Sequence, residues 1–545
     1  MSSAVIITHA PKLNYMHNYA VLPLYYGTEK YFSRPDVKAI RETVKKNLDE
    51  LNAQTGFAKK FKGRKVLIKP NLVGVMYKCG YKLDEIPETT DPRVFDAVVS
   101  YLSELDCKIA IVESSGGGST MQFMKDNGMY KIAKYYGTEI YALEEQPLDH
   151  YYVPKAEVQK EVFLPRILSE VVRGEALYVS VPKMKTNLYT GVTLGFKNAM
   201  GTLPMSMRYR NHTWQINKKL VDLLYLFKPD LTVIDGIIGG EGLTPGPVDP
   251  VKVGVVLSSD NSVECDRVAT RMMVFDPEQN QLMIEAVKRN FGDPEVRVFG
   301  KQTVTQFRPA EATFYSERFR KNWPDVKLYV GFTNKRAPKI MDINMVSRET
   351  VLEMEQVCTG GCLATAAMYM ETLYQAKKEQ KDVKAAVILG NGVEFNGKHY
   401  WFDYDGKAYD SEKLKALPVR KIGLGSCADA VKEICDSHGG GCCRTSEISS
   451  VMQKGTKTQM PMLSMDNETF LNIMVGMFNK YFAIKKIIKQ GDIVNIDFDA
   501  TDDRIFEIPQ LSEQDMQKDW IAVPMPKLNS QQIKANMKKL KMFEV

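Results

Sequence analysis

The stretch "KIAIVESSGGGSTMQFMKDN", Lys108 to Asn127, decides the fold. "KIAIVESS" is a short apolar run suited to a buried strand. "GGGSTMQFMKDN" is a glycine turn opening a helix. The same alternation extends from about Arg64 to Leu257. "KVLIKPNLV" is an apolar strand broken by Pro70. "DPRVFDAVVSYLSEL" is an amphipathic helix, with Asp91 suited to the N-cap, Pro92 to the first helical position, and Val94, Ala97, Val98, Tyr101 and Leu102 on one face. "EALYVSVPK" and "DLTVIDGI" are two more strands, and "VKVGVVLSS" is a further candidate. Short apolar runs separated by helices predict an α/β fold with a doubly wound, mostly parallel sheet.

In such sheets a ligand sits beyond the carboxyl ends of the strands. Polar groups gather at those ends: Lys69 and Asn71; Glu113, Ser114 and Ser115; Lys183 and Lys185; and Asp235. The densest set lies in "VPKMKTNLYTGVTLGFKNAMGTLP", Val181 to Pro204. A lysine that leaves water must be solvated or paired. Lys183 and Lys185 alternate with period two and so point the same way, and Lys197 follows twelve residues later. Gly191 and Gly195 permit close approach of backbone to a ligand. Arg208, Arg210 and His212 follow. A phosphate or carboxylate suits this set; the competing reading is structural pairing with acidic side chains. The expected anion contacts are Lys69, Asn71, Ser114, Ser115, Lys183, Asn187, Asn198, Arg208 and His212, with Lys185, Lys197 and Asp235 as catalytic candidates. Asp235 can equally cap the turn that follows it. "ESSGGGST" is a second anion candidate, a backbone nest at a helix start, although it lacks the lysine of a P-loop and the spacing of a dinucleotide-binding turn.

The chain has 545 residues, enough for two or three domains. Residues 1–275 form the anion-binding α/β unit and 276–349 a connecting subdomain. Residues 350–545 form a cysteine-rich α/β domain ending in an amphipathic helix, "NSQQIKANMKKLKMF". In that helix Ile533, Met537 and Leu540 share one face, which favours docking on the body over a membrane anchor. The net charge of +7 is spread along the chain, and no nucleic-acid-binding motif appears. The N-terminus lacks a signal-peptide pattern, and no apolar run approaches the roughly 20 residues that span a bilayer. A cytoplasmic protein with no nucleic-acid and no membrane partner is expected.

Thiols in that compartment stay reduced, so clustered cysteines point to metal or catalysis. Of 9 cysteines, six fall between Cys358 and Cys443. "CTGGC" supplies Cys358 and Cys362; "GSCADAVKEICDSHGGGCC" supplies Cys427, Cys435, His438, Cys442 and Cys443. Thiolates suit iron–sulfur clusters, zinc or copper(I). Cys358, Cys362, Cys427 and Cys442 are the preferred ligands, with Cys443 or His438 in reserve. Cys435 sits on an apolar face and reads as core. Redox thiols without metal and simple buried cysteines are the competing readings.

"VLIKPNLV", "TTDPRVFDAVVSYL", "IVESSGGG", the lysine loop and "LTVIDGIIGGEG" together resemble the domain-of-unknown-function family 362 over roughly Lys65 to Gly300. Many members of that family carry iron–sulfur motifs; this chain lacks their tandem ferredoxin motif. The loop is also distantly similar to that of the nickel-pincer lactate racemases. That resemblance implies a cofactor-tethering role for Lys197 and a metal-ligating role for His212, and matches Asp91 and Arg93 to an aspartate–arginine motif. It puts Asn187 where those enzymes have an acid–base histidine. The resulting expectation is a metal enzyme, iron–sulfur before zinc or a nickel pincer, with redox chemistry on a small anionic substrate and an electron-transfer protein as a possible partner. A cluster carrier and a pincer-type isomerase are the alternatives.

Overall fold

The computed structural model describes residues 3–540 apart from 17–20, 75–79, 83–86, 117, 212–214, 245–247, 333–339, 341, 345, 359–360, 378–381, 442–444, 460–465 and 495–507. His212, Cys442 and Cys443 therefore lie outside the described residues.

The molecule is α/β, built on two large sheets and one small one. The first sheet has ten strands. Its parallel centre runs, in spatial order, Leu231–Glu241, Ala176–Val181, Lys65–Pro70, Lys108–Glu113 and Glu139–Ala142. The expected helix follows Lys65–Pro70 as Pro92–Glu104. Asp91 caps it by accepting from the Arg93 amide at 2.9 Å, and Pro92 opens it.

The sheet is more mixed than expected. Asp249–Ser259 is a strand, but it runs antiparallel to Leu231–Glu241. Only a few residues join the two, too few for the crossover a parallel pair needs. Val5–His9, unread in the sequence, pairs antiparallel with it and carries the sheet outward.

Alternation along each strand feeds two apolar layers. Val66 and Ile68 pack with Val94, Val98 and Leu102 on one face, whereas Leu67 packs with Val112, Phe163 and Phe196 on the other. Lys69 shares the parity of Leu67, so it emerges on the side where the lysine-rich stretch packs.

The second sheet has seven strands, with Val326–Val330, Ala385–Leu389, Arg420–Leu424 and Ser437–Gly439 parallel. Its first strand comes from the segment read as a connection. "VKLYV" is too short and too interrupted by charge to announce itself. The hairpin at Asp405-Gly406 forms as expected, pairing Lys398–Phe402 with Ala408–Tyr409.

The C-terminal segment then returns to the first sheet's neighbourhood. Ile521–Val523 pairs with Leu148–Tyr152 in the small third sheet. The tail helix Ser530–Lys539 docks as expected, with Ile533, Met537 and Leu540 against Ile484 and Ile488 of the helix Asn467–Lys489.

Candidate functional site

The strand order locates a crevice. From Lys65–Pro70 the chain winds outward to Lys108–Glu113 and Glu139–Ala142. It then jumps back across to Ala176–Val181 and Leu231–Glu241. The switch falls between Lys65–Pro70 and Ala176–Val181, and ligands in such sheets bind at the carboxyl side of this point. A cavity of about 120 Å³ lies there. At about 30 Å³ per water it has room for about four waters, the bulk of a phosphate or a short carboxylate.

Three elements line it. Lys69, Asn71, Leu72 and Val73 follow the first strand, and Glu113, Ser114 and Gly116 follow the second. The lysine-rich stretch contributes Lys185, Asn187, Tyr189, Lys197, Asn198 and Gly201, with Arg208 beyond. Eight of the expected site residues thus meet around one space: Lys69, Asn71, Ser114, Lys185, Asn187, Lys197, Asn198 and Arg208. Ser115, Lys183 and Asp235 do not line it.

The cations differ in what they touch. Lys69 Nζ pairs with Glu113 Oε1 at 2.6 Å and also donates to Asn198 Oδ1 at 3.0 Å. Burial pulls the Lys69 ammonium down and pushes the Glu113 carboxyl up, and each group's charge opposes that shift in the other. Gly201 seals this pair: a Cβ there would stand 2.7 Å from Lys69 Nζ and 2.9 Å from Glu113 Oε1. Lys183 Nζ pairs with Asp235 Oδ2 at 2.8 Å, both fully buried. Asp235 also accepts from the Asp91 and Ile237 amides, at 2.8 and 3.2 Å. Structural pairing therefore describes Lys183 and Asp235 better than anion binding or catalysis. Lys183 stands just past the strand Ala176–Val181, as read, whereas Asp235 lies inside the longer strand Leu231–Glu241 and not at its end, and their charges are spent on each other.

Lys185 Nζ donates to the Glu88 carbonyl at 2.5 Å, and burial lowers its pKa. Lys197 is different. Among the described residues it makes no hydrogen bond or ion pair, although it is buried and lines the cavity. Burial first, then the nearby Lys69 charge, push its pKa down to about 8. Beside it, Asn71 Oδ1 is buried without a hydrogen-bond partner. An anion beside Lys197 would relieve a cost the protein alone does not; Asn71 Oδ1, an acceptor, favours one that carries a proton.

Arg208 braces the rim. Its guanidinium donates to the Ser114 and Ser115 carbonyls, at 2.9 and 2.7 Å, and to Ser114 Oγ at 2.7 Å. The glycine turn read as a second anion site is already served by protein: the Thr120 amide at its helix start donates to Glu144 Oε1 at 2.9 Å.

Asn187 is likewise committed. Its Oδ1 accepts from the Tyr189 and Thr190 amides and the Thr190 hydroxyl, at 3.0, 3.1 and 3.0 Å, so it holds the turn. Gly191 and Gly195 do not face the cavity. The Gly195 and Phe196 amides donate to Asp266, at 2.7 and 3.2 Å, and burial pushes the Asp266 carboxyl up to about 8. Asp266 and Glu88 escaped the sequence reading because nothing adjacent in the chain marks them. Asp91 and Arg93 pair at 2.7 Å, and Arg93 is tied further to Asp36. They anchor a helix start and do not line the cavity.

The cysteines meet at the other sheet. Arg420–Leu424 ends at Gly425, held at φ +76°. The sulfurs of Cys362 and Cys427 lie 3.1 and 3.8 Å from where a Cβ on Gly425 would sit. Cys358 and Cys427 pack against the same apolar cluster that holds Cys362. Among the described residues, no group of three or more His, Cys, Asp or Glu side chains is arranged to hold a metal ion. Two convergent sulfurs are on hand, and the fourth preferred ligand, Cys442, lies outside the described residues. Cys435 packs with Val431 and Ile434 in a separate cluster, its thiol pushed up to about 12 by burial and by Asp436. It is half-buried at the edge of that cluster, past the end of the helix Ser426–Ile434, and so is less of a core residue than read. His438 Nε2 lies 3.2 Å from Asp429 Oδ1.

Tyr189 joins the two regions. It lines the lysine cavity and also a cleft of about 520 Å³ that includes Cys358. Its hydroxyl lies 3.3 Å from Thr365 Oγ1, on the helix that Cys362 opens.

Residues 66–271 match the family model described as a domain of unknown function, DUF362. The thylakoid-associated protein sll1697 of Synechocystis sp. is 26% identical over 236 residues, which span 42% of this chain and 68% of that protein. No solved structure matches. No described helix is long and apolar enough to cross a membrane.

Proposed function

With residues 66–271 forming a DUF362 domain as the premise, we propose that the chain binds a small anion, a phosphate or short carboxylate, in the switch-point cavity. Lys197 supplies the charge, and Asn71 Oδ1, an acceptor, can be satisfied only by a protonated oxygen of the ligand. The observation that carries this reading is the contrast among the lysines: Lys69 and Lys183 have carboxylates against them, and Lys197 has none. The test is a thermal-shift series with phosphate, sulfate and short carboxylates. Wild-type protein gains stability with one or more of these anions. Lys197→Met loses that gain and Lys197→Arg keeps part of it. Equal shifts in all three proteins would refute the assignment.

A second reading concerns the cysteines and is supported by the approach of Cys362 and Cys427 to one point beside Gly425. In the reducing cytoplasm these thiols would ligate an iron–sulfur cluster or zinc, with Cys358 and Cys442 completing the set. Tyr189, standing between the two regions, supports joining the readings into a redox enzyme that acts on the bound anion and draws electrons from a carrier protein. If no turnover is found, the cluster-carrier reading takes its place. An isomerase of pincer type draws no support from Asn187, whose side chain is occupied by the turn. Anaerobic purification with elemental analysis and an absorbance scan tests the metal: iron with sulfide, or zinc, in stoichiometric amount supports it. Metal content unchanged in Cys362→Ser/Cys427→Ser protein would sink it.

A further inference from the structure

The helix Asn467–Lys489 presents a second surface that the anion site does not use. Its inward face is fixed. Gly476 packs so tightly that a Cβ would stand 2.6 Å from Gln122 Cβ, and Lys480 Nζ donates to the Gly118 carbonyl at 2.8 Å. Met477, Ile484 and Ile488 are buried on the same side.

The opposite face is apolar and open. Leu471, Val475, Phe478 and Phe482 follow one another at i, i+4, i+7 and i+11, which aligns them on one side of an α-helix. With Phe470 beside them, each is 44–60% exposed. Lys489 continues the same line at i+18, and Lys485 and Lys486 fall on either side of it. With Lys480 buried on the inward face, the helix offers three lysines toward its C-terminal end against one acidic residue, Glu468, near its start.

We infer that this helix docks the protein on an anionic lipid surface, with the phenylalanine stripe inserted among the acyl chains and the lysines set against the headgroups. The charge pattern selects this occupant. A second copy laid antiparallel on the stripe would offer the three lysines of each helix only Asp466 and Glu468 of the other, and Asp466 is already bound to Thr469. A lipid surface of opposite sign meets both the stripe and its cationic flank. The helix would lie in the interface plane, since no described helix is apolar enough to span it. This surface is separate from the tail helix, whose own apolar face is already covered.

The test is co-sedimentation of the full chain with vesicles of phosphatidylcholine alone and of phosphatidylcholine mixed with phosphatidylglycerol. Wild-type protein should pellet with the mixed vesicles, less at high salt, and not with the neutral ones. Lys485→Gln/Lys486→Gln/Lys489→Gln should lower the partition coefficient about a hundredfold, at about fivefold per lysine. Phe478→Ser/Phe482→Ser should abolish pelleting, and both variants should keep a cooperative melt, lowered only slightly where the contact of Lys485 with the Tyr481 and Phe482 rings is lost. Three results would overturn the inference: no pelleting of wild type with anionic vesicles, pelleting that ignores either variant, or a wild-type dimer in light scattering that Phe478→Ser/Phe482→Ser dissociates.

Discussion

The two large sheets obey the same rule and use it differently. Each puts its chemistry at the carboxyl ends of parallel strands: lysines beyond Lys65–Pro70 and Ala176–Val181, thiols beyond Arg420–Leu424. At the first rim the groups are charges, and burial of a charge demands a partner. The partners can be counted off, so the lysine left over stands out. At the second rim the groups are thiols, which bury comfortably among leucines and isoleucines. There, burial and proximity say little about use, and chemistry has to decide.

The comparison breaks first at the ion pairs. Lys69→Met or Glu113→Gln strands a buried charge and should cost about 3–5 kcal/mol in a denaturant titration. A loss below about 1 kcal/mol in both would mean that the pair is solvated and the lysine accounting fails.

Next in size is the pH dependence of Lys197. Its folded pKa, about 8, lies below its ordinary value of 10.5. Between those values the unfolded chain binds more protons than the folded one, so stability rises with pH across the window. The stability of wild type minus that of Lys197→Met should therefore grow by about 3 kcal/mol from pH 8 to pH 10.5 in anion-free buffer. A flat difference would place Lys197 in water or against an unseen partner.

Gly201→Ala sharpens the same rim. The new methyl presses on Lys69 and Glu113, at a cost of about 1–3 kcal/mol. The smallest effect belongs to the thiols. Without metal, Cys362→Ser and Cys427→Ser should each cost about 1 kcal/mol, as for any half-satisfied core substitution. A larger loss that chelator treatment of wild type reproduces would favour a bound metal.

Much of the first rim was legible because strand periodicity and the strand–turn–helix unit are local signals. They put Lys69, Ser114 and Lys185 at one edge, and the lysine and glycine loop added Lys197 and Asn198. What the sequence could not say was which charges cancel. Asp235 meets Lys183 across 52 residues, and Asp266 holds Gly195 across 71. Neither separation leaves a mark in the intervening chain. The strand Val326–Val330 was missed because five residues carry too little pattern to outweigh their charged surroundings. The return of the C-terminal segment to Leu148–Tyr152 was missed because pairing over such a span has no local signature.

The most direct measurement is a calorimetric titration of phosphate into the protein at pH 7 and again at pH 9, repeated with Lys197→Met. Binding that needs a protonated Lys197, with a pKa of about 8, should weaken about tenfold at the higher pH and vanish in the variant. Phosphate that binds Lys197→Met as well as wild type, with the same pH response, would contradict the account.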